Sequence, residues 1–269
     1  MPAAVFVSDI HIASPDGERC SRFIDFLDGL HRDADVSELY LLGDIFDLWV
    51  ADHDYFIERY SAVIERLCAL DKRGVKIAYF EGNHDLYLRH YWEHELGFAV
   101  YGGPAYLEVG GRTLRLEHGD EMNPDDKGYR FLRWFLRTPP VHFLCRRLPG
   151  WLVAKIGDRA SAASRQYSSN GSGSATDEVI DMIRTHARVA FRERPFDILI
   201  GGHVHTRDDC ELEVDGKRFR SVNLGTWLDA PCAFRVDGPE ACFVELSDAS
   251  ATAPVAEAES AERAAGVSA

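Results

Sequence analysis

Val75-Lys76-Ile77-Ala78-Tyr79-Phe80-Glu81-Gly82-Asn83-His84-Asp85 is a mostly apolar run that passes directly into a cluster of polar side chains. The apolar part has the length and composition of a buried β-strand, and Gly and Asn tolerate the backbone of a tight turn. A turn alone would explain this one stretch. However, other strand-like runs in the chain also end in residue types that bind metal ions, namely Asp9 and His11, Asp44, His118, and His203 and His205.

Predicted strands and helices alternate in the first part of the chain. Residues 3–7, 39–42 and 75–80 are apolar runs typical of buried strands. Apolar residues at helical spacing between these runs, including residues 55–70, predict crossover helices. This order predicts a parallel sheet, in which functional residues gather at the carboxyl ends of the strands. Asp9, Asp44 and Asn83 are therefore expected at one edge of the sheet.

The rest of the chain predicts further strands around a distinct insertion. We expect a helix over about 86–96, hairpins that turn at Gly110-Gly111 and Asp215-Gly216, and additional strands at 196–200, 233–236 and 242–246. The domain is predicted to cover residues 1–246, with a helical insertion, here called the cap, over about 125–185. Residues 247–269, with nine alanines and no aromatic residue, are predicted to be a disordered tail.

Charge and cysteine content limit the class of protein. The net charge of -14 argues against a general nucleic-acid binder, because such proteins neutralise phosphates with Lys and Arg. Residues 127–159 carry eight basic residues and one acid, so we expect this segment to bind an anion. The six cysteines lack Cys-x-x-Cys spacing and suggest reduced thiols. With no export signal and no bilayer-length apolar run, we expect a cytoplasmic protein whose membrane contact is at most peripheral.

Carboxylate, imidazole and amide ligands together suit manganese, iron or zinc, and two such ions a few Å apart promote attack at phosphorus. Five motifs supply these ligands in order: Asp-x-His, Gly-Asp, Gly-Asn-His-Asp, His-Gly-Asp and Gly-His-x-His, over residues 9–205. In this arrangement the chain resembles the calcineurin-like metallophosphoesterases. That resemblance implies an α/β fold, a four-layer α/β/β/α sandwich, here with the cap as a helical insertion.

The resemblance also implies roles for individual residues. Two divalent ions are expected. Mn²⁺ is the expected metal, and Fe and Zn are the alternatives. His84 would act as general acid or transition-state stabiliser, and Asp85 would orient His84. One ion would be bound by Asp9, His11, Asp44 and His205, and the other by Asp44, Asn83, His118 and His203, with Asp44 bridging.

A narrower resemblance is to the UDP-2,3-diacylglucosamine hydrolases of lipid A biosynthesis, which cleave their substrate to UMP and an acylated sugar phosphate. It rests on residues 43–49, on His118-Gly119-Asp120 with residues 125–129, and on residues 224–227. It implies a UDP-linked acylated sugar as substrate and manganese as the metal. The residues that it assigns to substrate binding are Asp126, Tyr129, Arg133, Ser164 and Arg165.

The cap sequence agrees with a lipid substrate. Arg130, Arg133 and Arg137 recur at helical spacing beside aromatic and aliphatic residues. Such a segment can hold acyl chains or rest on anionic lipid heads, so we expect peripheral membrane contact through residues 127–159. The alternative is an ordinary amphipathic helix that packs on the sheet and keeps its arginines in water.

Two departures from the pattern of the lipid enzymes keep other functions open. The lipid enzymes typically carry Arg where this chain has His84, and two of their polar substrate-binding residues are replaced here by Ser168 and Gly171. The alternative is a soluble paralogue that acts on another diphosphate, nucleotide or phosphomonoester. A DNA nuclease is disfavoured by the net charge. A non-enzymatic scaffold would be expected to have lost ligands, and every expected ligand is present. The oligomeric state stays open.

Overall fold

The computed structural model describes residues 2–157 and 176–246. In chain order, its elements are β1 (Ala3–Val7), α1 (Glu18–Arg32), β2 (Val36–Leu41), β3 (Trp49–Val50), α2 (Asp54–Arg59), α3 (Ser61–Lys72), β4 (Lys76–Phe80), β5 (Asp85–Leu86), a π-helix (Arg89–Glu95), β6 (Ala99–Tyr101), β7 (Ala105–Val109), β8 (Arg112–Leu116), α4 (Lys127–Leu136), α5 (Pro139–Arg147), α6 (Thr176–Glu193), β9 (Ile198–Gly201), β10 (Arg207–Val214), β11 (Lys217–Leu224), β12 (Cys232–Asp237) and β13 (Glu240–Glu245). Residues 150–157 are also helical.

Two large sheets form the centre of the fold. The first has six strands in the order β13-β12-β1-β2-β4-β6, and its last four strands run parallel to one another. The second has five strands in the order β10-β11-β9-β8-β7, with β11, β9 and β8 parallel. The predicted parallel sheet is therefore present, and β12 extends it by pairing antiparallel with β1.

Alternate residues of β1 explain how the layers form. Ala4 and Phe6 face the second sheet and share one apolar core with its strands. Val5 and Val7 face the opposite way, into a core formed with helices α1 and α3. Because β1 is covered on both faces, its sequence is apolar throughout rather than alternating.

The second sheet is covered in a similar way. Ala187, Ala190 and Phe191 of α6 pack with Leu199 and Phe219 on the outer face of the second sheet. The order of layers is thus helix, sheet, sheet, helix, which confirms the expected α/β/β/α sandwich. The helices α4 and α5 and the helical residues 150–157 lie between β8 and α6 in the sequence and form most of the described part of the cap.

Two predicted helices differ from the structure. Residues 55–70 form two helices that meet at Tyr60, whose backbone departs from helical geometry. The Tyr60 ring is buried and its hydroxyl donates to the carbonyl oxygen of Ile12, so a tertiary contact overrides the local helical pattern. The predicted helix over 86–96 instead begins as β5, paired with β3, and continues as a π-helix.

Within the described residues, no helix is both long and apolar enough to span a bilayer. The predicted tail at 247–269 lies outside the described residues. The domain boundaries stay a prediction for the same reason.

Candidate metal centre

The backbone is unusual where the predicted ligands lie. Asp9, His11, Asp44, His203 and His205 have φ angles of 52°, 51°, 54°, 71° and 56°, and they are five of the eight described non-glycine residues with positive φ. Such conformations cost energy in residues with a Cβ, and they are concentrated at functional sites. All five follow the carboxyl ends of β1, β2 or β9. The parallel strands therefore bring these residues to one place, as the sequence predicts.

One group of potential ligands surrounds His11. Its Nε2 lies 3.0 Å from Nε2 of His205, and 3.9 Å from both Oδ1 of Asp9 and Oδ2 of Asp44. Nε2 of His205 is also 3.4 Å from Oδ1 of Asp9. Asp9, His11 and Asp44 are buried, whereas the His205 side chain is 39% exposed and leaves this group open on one side.

A second group adjoins the first at Asp44. Oδ2 of Asp44 lies 3.5 Å from Nε2 of His118. Oδ1 of Asn83 lies 3.1 Å from that nitrogen and 2.9 Å from Nδ1 of His203. Asp44 thus contributes to both groups through a single carboxylate.

These distances fit two neighbouring divalent ions. Two ligands of one ion, each about 2.1 Å from it, lie at most about 4.2 Å apart. Every pair given above lies within that limit. Asp9, His11 and His205 could hold one ion, and Asp44, His118 and His203 could hold another. The structure brings all seven predicted ligands together, whereas coordination by each of them stays a prediction.

Contacts behind the ligands fix their orientation. Nδ1 of His118 donates to the carbonyl oxygen of Leu42 at 2.9 Å, which turns Nε2 towards Asp44. A Cβ on Gly82 would lie 2.1 Å from Oδ1 of Asp44, and a Cβ on Gly202 would lie 2.1 Å from Oδ2 of Asp9. Only glycine leaves room for these carboxylates, in agreement with the close backbone approach that the sequence suggests.

The electrostatics of the site favour bound cations. Burial alone would lower the pKa of His118, but the carboxylates of Asp44, Asp9 and Asp120 outweigh burial and raise the pKa to about 10. Burial and the nearby His118 lower the pKa of His203 to about 4, so the His203 ring is neutral at pH 7, the form that binds a metal ion. An environment that stabilises a proton on Nε2 of His118 also stabilises a metal ion there.

His84 lies beside both ligand groups. Its ring centroid is 5.0 Å from that of His11, and its backbone N–H donates to Oδ1 of Asp44 at 2.9 Å. Nδ1 of His84 donates to the carbonyl oxygen of Asp47 at 2.8 Å, which fixes the ring. In the neutral tautomer Nε2 is then the unprotonated nitrogen.

Asp85 has a different partner from the one predicted. Its buried carboxyl accepts hydrogen bonds from the backbone N–H groups of Ile45 and Phe46, and from the Tyr79 hydroxyl at 2.7 Å. Asp85 therefore orders the loop that follows Asp44. The carbonyl oxygen of Asp47, rather than Asp85, orients the His84 ring, and this corrects the sequence prediction.

The predicted substrate residues on α4 lie above the second ligand group. The Tyr129 ring centroid is 5.9 Å from that of His203. The Tyr129 hydroxyl and Nε of Arg133 both donate to Oδ2 of Asp120, at 2.8 and 2.6 Å. Asp126 caps α4 by accepting from the backbone N–H of Tyr129. Substrate contact by these three stays a prediction, and Ser164 and Arg165 lie outside the described residues.

The sequence patterns did not predict the acidic partners of the cap arginines. Three arginines of the basic segment pair with acids of the sandwich: Arg133 with Asp120, Arg137 with Glu81, and Arg146 with Asp52. These three arginines are therefore already paired within the protein, and anion binding by the basic segment stays a prediction. Asp120 could have been identified, because it stands two residues after His118, but distant pairs leave no sequence signal.

Comparison with known proteins places the chain in a family. The family model of the calcineurin-like phosphoesterases matches residues 3–207. The chain is 29% identical over 233 residues to a UDP-2,3-diacylglucosamine hydrolase of Stutzerimonas stutzeri, covering 87% of this chain and 94% of that protein. It is 30% identical over 229 residues to the protein of the same name from an Enterobacter species, covering 84% and 91% of the two chains.

Solved structures show more distant similarity. An archaeal phosphodiesterase covers 90% of this chain at 15% identity, with a TM-score of 0.46, and the match spans 99% of that structure. Vps29 of Entamoeba histolytica, complexed with zinc, covers 91% at 14% identity, with a TM-score of 0.38, and the match spans 99% of that structure. From the family match and the curated relatives, the chain belongs to the calcineurin-like phosphoesterases and is a metal-dependent hydrolase.

Proposed function

We propose that this protein hydrolyses the pyrophosphate of UDP-2,3-diacylglucosamine and releases UMP and 2,3-diacylglucosamine 1-phosphate. The observation that carries the proposal is the meeting of two metal-ligand groups at Asp44 beneath a cap with an apolar surface. The relatives named for this activity support the choice of substrate. Manganese is the proposed metal, because the mixed carboxylate, imidazole and amide ligands suit it.

The residues of the chain hold and orient the reacting groups. Asp9, His11 and His205 would bind one ion, and His118 and His203 would bind the other with Asn83, joined by Asp44. When bound, such ions polarise the phosphoryl oxygens and make water reactive at neutral pH. The carboxylates of Asp9 and Asp44 would neutralise both cations, and their buried positions would keep the ligands fixed.

His84 is proposed to donate a proton to the leaving group. Its Nδ1 is bound to the carbonyl oxygen of Asp47, so Nε2 is the atom that can gain and release a proton. The ring lies beside His11 and Asp44, close to both ligand groups. Protonated Nε2 can donate to the departing phosphate oxygen and stabilise its charge.

The cap supports a lipid substrate and peripheral membrane contact. Its large side chains are unusually exposed for a folded protein, with Phe131 at 63% and Trp134 at 62%. A surface of this kind can take acyl chains or enter a membrane interface. We propose that the enzyme is cytoplasmic and that its cap rests against the membrane. The exposed members of this surface are Phe131, Leu132, Trp134, Phe135, Phe143, Leu144, Trp151 and Ile156.

A soluble phosphoesterase acting on another diphosphate, a nucleotide or a phosphomonoester is the second candidate. His84 favours it, because the lipid enzymes carry arginine at that position. A histidine that can supply a proton suits a poor leaving group such as an alkoxide. Hydrolysis of a pyrophosphate needs this help less, because its leaving group is a phosphate, which departs more readily. This candidate uses the same metal ligands and differs only in the substrate that binds beneath the cap.

Product analysis separates the two candidates. Purified, Mn²⁺-loaded protein is incubated with UDP-2,3-diacylglucosamine in mixed micelles, and the products are identified by mass spectrometry. The proposal predicts UMP and the acylated sugar phosphate, and loss of both products in N83A. If the lipid substrate stays intact while a soluble phosphomonoester or diester is hydrolysed, the second candidate is correct.

A further inference from the structure

The cap is joined to the loop that carries Asn83. This loop, residues 81–88, follows β4 and contains the metal-ligand motif. Arg137, the C-cap residue that follows helix α4, donates from Nη1 to Oε2 of Glu81 at 2.8 Å and to the carbonyl oxygen of Gly102 at 3.1 Å. Both side chains of this ion pair are largely buried, with 24% of Arg137 and 11% of Glu81 exposed.

Glu81 also closes the loop on itself. Its Oε1 accepts from the backbone N–H of Leu88 at 3.1 Å, and its own backbone N–H donates to the carbonyl oxygen of Tyr101 at 2.8 Å. The Tyr87 hydroxyl donates to the carbonyl oxygen of Leu136 in α4. One carboxylate thus ties both ends of the loop together and holds the end of the cap helix.

We propose that Arg137 is a positioning residue for the metal centre, and that through Glu81 it couples the docking of the cap to the position of Asn83. Oδ1 of Asn83 lies within 3.1 Å of ring nitrogens of both His118 and His203, so a small shift of the loop withdraws this oxygen from the second ligand group. The inference rests on the proposed metal-dependent hydrolysis and needs no particular substrate. Arg137 itself does not have to touch the substrate.

The Arg137 guanidinium contributes little to the stability of the fold. Its Nε and Nη2 are buried without a hydrogen-bond partner in the described structure. A buried donor left unpaired costs free energy, which offsets what the ion pair contributes. The ion pair is therefore better explained by a role in the geometry of the metal centre than by a role in stability.

The test uses the full-length protein and two readouts. Hydrolysis of bis(p-nitrophenyl) phosphate, a small diester, gives kcat and KM without lipid contacts to the cap. Titration with Mn²⁺, followed by the electron paramagnetic resonance signal of the free ion, gives metal affinity without turnover. The variants are R137M, E81Q, their double mutant and the conservative R137K, with R218Q on the exposed β10–β11 hairpin as control.

We expect R137M and E81Q each to lower kcat about 10-fold and to weaken the more weakly held Mn²⁺ about 10-fold, because residues behind metal ligands have effects of this size. KM should change less than about twofold, and R137K should recover part of the loss. The double mutant should be no worse than the poorer single mutant, because both changes break the same connection. R218Q should match the wild type.

Three outcomes would overturn the inference. R137M could leave both Mn²⁺ affinity and diester turnover unchanged, or the two single losses could multiply in the double mutant. R137M could also impair only UDP-2,3-diacylglucosamine turnover, which would make Arg137 a substrate contact. Failure of the proposed function is distinguishable, since wild-type protein would then leave UDP-2,3-diacylglucosamine intact while the Mn²⁺ titrations still compare the variants.

Discussion

Replacing Gly82 with alanine should disable the metal centre without unfolding the protein. The added Cβ would lie 2.1 Å from Oδ1 of Asp44 and 2.7 Å from its backbone nitrogen. Ordinary contact begins near 3.4 Å, so the carboxylate and the loop must separate by about 1 Å. Gly82 does not have a positive φ, and alanine is therefore strained only by this contact.

A displacement of about 1 Å at a reacting centre costs on the order of 100-fold in rate. We expect kcat of G82A to fall by about that factor, with Mn²⁺ affinity reduced, because Asp44 adjoins both ligand groups. The assay is hydrolysis of a small phosphodiester at saturating Mn²⁺, together with circular dichroism to confirm folding. G103A is the matched control, since a Cβ there meets no heavy atom within 4 Å in the described structure.

The two variants are expected to differ sharply. G103A should stay within about twofold of wild-type kcat. If folded G82A keeps kcat and Mn²⁺ affinity within about threefold of the wild type, Asp44 does not occupy the position on which the proposed centre depends.

Three further predictions follow from individual contacts. E117Q should destabilise the protein by about 3–5 kcal/mol at pH 7, because it breaks a buried pair with Arg115. Burial alone would raise the pKa of Glu117, but His186 and Arg115 lower this pKa below its ordinary value of 4.5. The ionised Glu117 therefore stabilises the fold above pH 4.5. Below that pH, the difference in the free energy of unfolding between E117Q and the wild type, measured in urea, should shrink. H84Q should lower kcat about 100-fold on substrates with poor leaving groups and should flatten the pH–rate profile; an unchanged profile would exclude proton transfer by His84. The double mutant F131S/W134S should bind phospholipid vesicles at least about 10-fold more weakly in sedimentation and should keep the wild-type kcat on a small diester. Vesicle binding equal to that of the wild type would show that the cap does not contact the membrane.

The sequence predicted the centre of the fold better than its periphery. Residues 3–7 are a strand with the predicted bounds, because an apolar run buried on both faces has few alternatives. The meeting of the proposed metal ligands was predictable because each follows a strand, and parallel strands end at a common edge. The helix break at Tyr60 was not predictable, since it depends on a hydrogen bond to the distant Ile12.

The cap illustrates what local patterns cannot supply. Arginine spacing at helical periodicity predicts a helix, and α4 confirms it. The same spacing says nothing about partners, and Arg133, Arg137 and Arg146 pair with acids far away in the sequence. The resemblance assigned Asp85 to orient His84, whereas the fold turns the Asp85 carboxyl towards the loop after Asp44.

The number of metal ions that share Asp44 is the decisive property of the proposed metal centre. Electron paramagnetic resonance of Mn²⁺-loaded protein should give the spectrum of two magnetically coupled ions, with two Mn²⁺ per chain by metal analysis. D44N should abolish the coupling and retain at most one tightly bound ion. A single uncoupled Mn²⁺ in the wild type, or a coupled pair that survives in D44N, would contradict the proposed centre.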